Sequence, residues 1–188
     1  MDLVLLGIQG SGKGTQAKRL AAEFGFAIFE AGGQLRAIAA SDTPLGATVR
    51  SYIDAGNLVP HEIIMEVVRT AIAKYPASQR LLFDGVPRDL DQMRDFDAIM
   101  REQNRDFRCV HLLLDSNVGV TRILGRAKAE GRSDDASEEP IRRRMNIFQE
   151  KTMPVIEQYA AKGRVTRVEA DHPVDVVFEE LKEIVKGM

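Results

Sequence analysis

A single cysteine, Cys109, stands in the 188 residues, which excludes an internal disulfide and any zinc cluster built on cysteines. Its setting, Arg108-Cys109-Val110-His111-Leu112, is that of an inert thiol on a buried strand. No apolar run approaches the roughly 20 residues of a membrane span. Excess positive charge is missing too: the formal net charge is −2, which argues against binding nucleic acid by bulk electrostatics. The opening Met1-Asp2-Leu3-Val4-Leu5-Leu6-Gly7 has no basic segment ahead of its apolar residues. It reads as a folded strand rather than a signal peptide, and a cytoplasmic location is the expectation. What is present is ordinary for a globular chain: 44% hydrophobic and 29% charged residues, enough for one α/β domain with small insertions. There is no internal repeat, low-complexity tract or interdomain linker.

Short apolar runs alternate with longer helical patterns. Residues 3–6 form a continuous apolar run that stops at Gly7, the pattern of a strand buried in a parallel sheet. Ala17, Leu20, Ala21 and Phe24 recur at i, i+3, i+4 and i+7 and predict a helix. A second strand is expected at 27–29 and a helix at 35–40. Thr43-Pro44 can cap and start another helix, with Leu45, Val49, Tyr52 and Ile53 on one face and Gly56 as its stop. Ile63, Ile64, Val67, Val68 and Ala71 mark the next helix. Leu81-Leu82-Phe83-Asp84 is a strand ending on a carboxylate. Met93, Phe96, Ile99 and Met100 mark a helix, 110–114 a strand, and Val120, Ile123 and Leu124 begin a further helix. The polar residues 131–139 are expected to be a loop. The long helix after them carries Ile141, Met145, Phe148, Val155, Ile156 and Tyr159 inward, and Pro154 should kink it. A last strand at 164–169 precedes a helix opened by Pro173, with Val177, Leu181, Ile184 and Val185 inward. Five strands alternating with helices predict an α/β fold: a five-stranded parallel sheet with helices on both faces, its ligand at the carboxyl ends of the strands.

The sharpest motif is Gly7-Ile8-Gln9-Gly10-Ser11-Gly12-Lys13-Gly14-Thr15, between a predicted strand and a predicted helix. That is the context of a phosphate-binding loop. Glycines let the backbone turn so that successive N–H groups point at phosphate oxygens, and the helix start adds its positive dipole end. Lys13 supplies a mobile charge for the β- and γ-phosphates. Gly14 stands where the general motif has Ser or Thr, so the usual magnesium hydroxyl is absent there and Thr15 comes one residue late. Mg2+ is then expected to be held by phosphates and water, with no direct protein ligand and with Asp84 helping through water. Gly85, Pro87 and Arg88 follow Asp84 directly, which favours a functional carboxylate over a helix cap.

With these motifs in place, the sequence resembles the adenylate kinase family. Gly7 through Gln16 is similar to that family's phosphate loop, including the Lys-Gly-Thr-Gln ending. Asp84-Gly85-Val86-Pro87-Arg88 resembles its Asp-Gly-Phe-Pro-Arg signature, with Val86 in place of Phe. Gly131-Arg132-Ser133-Asp134-Asp135 resembles the lid of short-lid members, and Glu138-Glu139-Pro140-Ile141-Arg142-Arg143-Arg144 the stretch after it. The resemblance runs nearly end to end. It implies a P-loop NTPase fold over 1–188, a helical monophosphate-binding insertion at 30–59 and a short lid at 126–136. It implies ATP contacts at Gly10, Ser11, Gly12, Lys13, Gly14, Thr15, Arg122, Arg126 and His172. It implies AMP contacts at Ala31, Arg36, Asn57, Leu58, Val59, Gly85, Val86, Pro87, Arg88, Gln92, Arg132 and Arg144. Lys13, Arg88, Arg132 and Arg144 would be the catalytic set. The lid has no cysteines, so no zinc is expected.

Phosphoryl transfer asks a protein to align two anionic substrates, neutralise developing charge and exclude water. Arginine forks suit this, and Arg122, Arg126, Arg132, Arg142, Arg143 and Arg144 crowd one stretch. Arg142 and Arg143 read as a solvated helix face. No general base is needed, because a monophosphate acceptor has no hydroxyl proton to lose; His61, His111 and His172 read as surface or strand histidines. Where the family has a Ser/Thr-Gly-Asp pattern this sequence reads Glu30-Ala31-Gly32-Gly33. Ala31 looks like the pyrimidine monophosphate kinases, whereas Gln92 looks like the AMP-specific members. The expectation is therefore reversible transfer from Mg-ATP to AMP by a monomer without nucleic-acid or membrane partners. A UMP/CMP kinase and a non-catalytic nucleotide-binding regulator stand as alternatives.

Overall fold

The computed structural model describes residues 1–130 and 138–188, with the side chains of all of these but 126–130. Arg132 and the rest of 131–137 lie outside the described residues, as does the side chain of Arg126.

Five strands form one parallel sheet: β1 (Asp2–Leu6), β2 (Ala27–Glu30), β3 (Leu81–Asp84), β4 (Phe107–Leu113) and β5 (Val165–Glu169). Their order is β2-β3-β1-β4-β5, all neighbours parallel. Side chains alternate across the sheet, so each strand feeds two cores. Leu3 and Leu5 go to one face with Leu82, Val110 and Leu112; Val4 and Leu6 go to the other with Phe83 and Cys109. This two-sided burial is why residues 3–6 are apolar without interruption.

The first face is covered by α1 (Lys13–Phe24) and α9 (Val174–Lys186), which contribute Ala17, Leu20, Val177, Phe178, Leu181 and Val185. The second is covered by α4 (His61–Ile72), α5 (Leu90–Glu102), α6 (Ser116–Glu130), α7 (Glu138–Ile147) and α8 (Met153–Ala161). An aromatic chain, Phe29–Phe83–Phe96–Phe107–Tyr159, runs through this larger core with centroids 5.0–5.9 Å apart. Two further helices, α2 (Ala31–Ala39) and α3 (Pro44–Asp54), stand beyond the sheet around a small core of Ala39, Val49 and Val59. No helix among the described residues is long and apolar enough to cross a membrane.

Local signals account for the element ends. The Thr43 hydroxyl accepts from Gly46 N at 3.0 Å and Pro44 opens α3. Asp89 caps α5 by accepting from Gln92 N at 2.8 Å. Four expectations are corrected. The helix expected at 35–40 starts at Ala31, because the small residues Ala31-Gly32-Gly33 carry little periodicity of their own. The strand expected from 110 starts at Phe107. Glu138 and Glu139 are not loop but the first turn of α7, where acidic residues favour a helix N-terminus. Leu45, placed on the inner face of α3, is 47% exposed. Just ahead of Pro154 the long helix is interrupted by a π segment, Phe148–Thr152, in which Met153 N–H reaches back five residues to Phe148 O.

Candidate active site

Between the end of β1 and the start of α1, six residues must reverse the chain over the sheet edge. Gly10 and Gly12 do so at φ 83° and 88°, left-handed values that a side chain resists. Gly10 has a second reason to be bare, since a Cβ there would stand 2.7 Å from Gly119 O in α6. Lys13 curls over the loop, donating through Nζ to Gly7 O at 2.8 Å and Ile8 O at 2.9 Å. Its ammonium therefore lies across the nest of backbone N–H groups that a phosphate chain would enter. Ser11 Oγ is buried in the loop with no hydrogen-bond partner among the described residues.

The ends of β1, β2 and β3 lie side by side: Leu5 and Glu30 are both in register with Asp84. Asp84 is 8% exposed. Burial pushes its carboxyl above the usual carboxylate range, Lys13 and Arg88 pull it back down, and Glu30 pushes it up again. A Cβ at Gly14 would sit 3.7 Å from Asp84 Oδ2. The hydroxyl that general phosphate loops carry at this position would thus point at Asp84, and Gly14 leaves that space for water.

Arg88 folds back over its own turn, Nε donating to Gly85 O at 2.7 Å. Gly85 has φ 85°, and a Cβ there would meet Arg88 Nη2 at 2.7 Å. Thr152, on the π segment, donates from Oγ1 to Arg88 O at 2.7 Å, so the interrupted helix fixes the turn from behind. Burial pulls the Arg88 guanidinium below its ordinary value, Asp84 opposes this, and Arg144 and Arg36 add to it. Several cations thus share one wall.

One cavity of about 640 Å³ takes in both halves. The loop residues Gly10 to Thr15, with Arg122 and His172, line one end. Ala31, Arg36, Asn57, Leu58, Val59, Gly85, Pro87, Arg88 and Gln92 line the other, with Arg144 and Asp84 on the shared wall. Arg122 donates to Ala170 O at 3.2 Å and pairs with Asp171 at 2.9 Å. Arg144 reaches Gln9 Oε1 and Ile53 O, each at 3.3 Å, linking the phosphate loop to α3. One expected residue lies off the cavity lining. Val86, two residues past the end of β3, is fully buried in the same core as Phe83 and does not line the cavity. Gln92 donates to Asp89 Oδ2 at 3.0 Å and accepts from Arg88 N at 2.9 Å, so its amide braces the Arg88 turn. Glu30, Thr152 and Gly119 escaped the sequence reading as site residues; only Pro154 hinted at an unusual helix near Thr152.

A family model described as adenylate kinase matches residues 5–164. The chain belongs to the adenylate kinase family. Proteins named adenylate kinase align along nearly its full length. That of Synechococcus sp. (strain JA-2-3B'a(2-13)) is 39% identical over 98% of this chain and 96% of its own. That of Thermus thermophilus is 40% identical over 96% and 94%. That of Stenotrophomonas maltophilia (strain R551-3) is 36% identical over 100% of both. The family match covers the end of β1, the phosphate loop, the Asp84–Arg88 turn and Arg144, whereas His172 and the Arg122 partners Ala170 and Asp171 lie beyond it.

Proposed function

We propose that this adenylate kinase family member moves the γ-phosphate of Mg-ATP reversibly to AMP, giving two ADP. The observation that carries the reading is the single cavity with a phosphate loop at one end and the Arg36–Arg88 wall at the other. ATP lies with its phosphates in the loop, its base toward His172 and Pro173, and its γ-phosphate toward Arg88. AMP lies between Ala31, the 57–59 backbone and Gln92, with its phosphate on Arg36 and Arg88. Arg88 and Arg144 then face the oxygens of the phosphoryl in transit, where fixed cations lower the barrier most. Lys13 leaves the Gly7 and Ile8 carbonyls for the β- and γ-phosphates. Magnesium, when bound with ATP, neutralises phosphate charge; Asp84, facing the space that Gly14 leaves open, suits a hydrated ion held mainly by phosphates and water.

No side chain need remove a proton. The demand is closure, so that water does not take the phosphoryl group. The insertion 30–59 and the lid 126–136, with Arg126 and Arg132, are the proposed closing parts of a cytoplasmic monomer. The expected result is ADP from Mg-ATP plus AMP, abolished by EDTA, with Arg88→Ala lowering kcat about 10²–10³-fold at unchanged fold by circular dichroism. Persistence of turnover in Arg88→Ala would contradict the assignment.

A further inference from the structure

Glu30 ends β2 and holds the N-cap position of α2, yet its side chain makes no cap hydrogen bond. The carboxylate turns instead across the first turn of the helix. Oε1 accepts from Arg36 Nη2 at 2.9 Å, and Oε2 lies 3.3 Å from where a Cβ on Gly33 would stand. The Arg36 guanidinium is placed in the same way over Gly32, with Nη1 3.0 Å from that residue's Cβ position. Consecutive glycines in a helix cost stability relative to alanine. Here each glycine leaves room for one partner of a single ion pair, which gives both a reason. The pair faces the cavity beside Arg88, whose guanidinium lies over Gly85 in turn.

Two roles are conceivable for a carboxylate on a phosphate-binding arginine: it competes with the phosphate or it orients the arginine. Glu30 meets Arg36 through one oxygen and one terminal nitrogen, so the remaining guanidinium donors are left to face a ligand. Its charge also offsets the crowding of Arg36, Arg88 and Arg144, since it acts on Arg88 against the pull of the other two. The side chains of Arg36 and Glu30 are 34% and 46% exposed, too open for the pair to add much to folding stability. Orientation is what remains.

We propose that Glu30 is a positioning residue for the acceptor: its carboxylate, lying over Gly33, holds the Arg36 guanidinium against Gly32 so that it meets the monophosphate's phosphate already aligned. Preorganising a long side chain in this way removes an ordering cost from binding. The proposal rests on the reading of the Arg36 end of the cavity as the AMP site.

The test is steady-state kinetics on the full chain, comparing Glu30→Ala, Glu30→Gln and the double variant Glu30→Ala with Gly33→Asp. Glu30→Ala should raise KM for AMP about 10-fold, with KM for ATP and kcat within about twofold and melting temperature nearly unchanged. Glu30→Gln, which keeps the hydrogen bond without the charge, should fall between. The double variant should recover most of the loss, because an aspartate at 33 starts beside the vacated carboxylate position. An unchanged or lowered KM for AMP in Glu30→Ala would overturn the proposal while leaving the function intact. So would a matching rise in KM for ATP, or no recovery in the double variant. Absence of AMP turnover in the unaltered chain overturns both.

Discussion

His111 sits on β4 beside Leu6 of β1, 5% exposed, its ring 6.1 Å from Phe148 and its Nδ1 without a partner among the described residues. Burial, with Arg167 and Lys13 adding like charge, pulls its pKa down to about 4. The folded state therefore holds fewer protons on this ring than the unfolded state between pH 4 and 6.5, and stability is lost as pH falls through that window. Relative to His111→Leu, the natural chain should lose about 3 kcal/mol of unfolding free energy from pH 6.5 to pH 4. Urea titrations at both values measure it, and parallel losses in the two proteins would contradict the assignment. The apolar neighbours of His111 in sequence are enough to place it on a strand, but its burial depends on Phe148, which the chain brings up only at the π segment. Lys13, Asp84 and Arg88 were legible because each belongs to a motif whose chemistry demands that residue at that spacing. The Glu30–Arg36 pair was not, since two glycines in a row do not announce what fills the space above them.

Helices and strands were legible where apolar periodicity is long, as in α5, α9 and the uninterrupted β1. They were least so where small or acidic residues carry the element, at the starts of α2 and α7. The packing of α6 against the phosphate loop was invisible, because it depends on two glycines far apart in sequence. A Cβ on Gly119 would stand 2.9 Å from both Gln9 O and Ile8 Cδ1, whereas one on Gly125 of the same helix would meet nothing within 4 Å among the described residues. Gly125→Ala should stabilise the chain by about 0.5–1 kcal/mol through helix propensity alone. Gly119→Ala gains the same propensity but must push the loop away, so KM for ATP should rise at least about 10-fold while KM for AMP moves little. Thermal melts and initial rates on the pair decide it; equal behaviour of the two variants would count against the contact.

Taken as one body, the chain reads as its alternation of strands and helices predicts: a parallel sheet covered on both faces, with the site at the carboxyl ends of β1, β2 and β3. Strand order and the separate small core of α2 and α3 needed the structure, because crossovers leave no local mark in sequence. The identity of the acceptor base is the point on which the residues pull apart: Ala31 lines the cavity without a hydroxyl, and Gln92 is engaged with Asp89 and Arg88. The decisive measurement offers Mg-ATP with AMP, CMP, UMP and GMP separately and follows diphosphate formation by chromatography. Rapid ADP formation with AMP, and far slower transfer to the other three, is the expected result. Preferential transfer to CMP or UMP would contradict the acceptor, and no transfer to any, with nucleotide still bound, would contradict the enzyme.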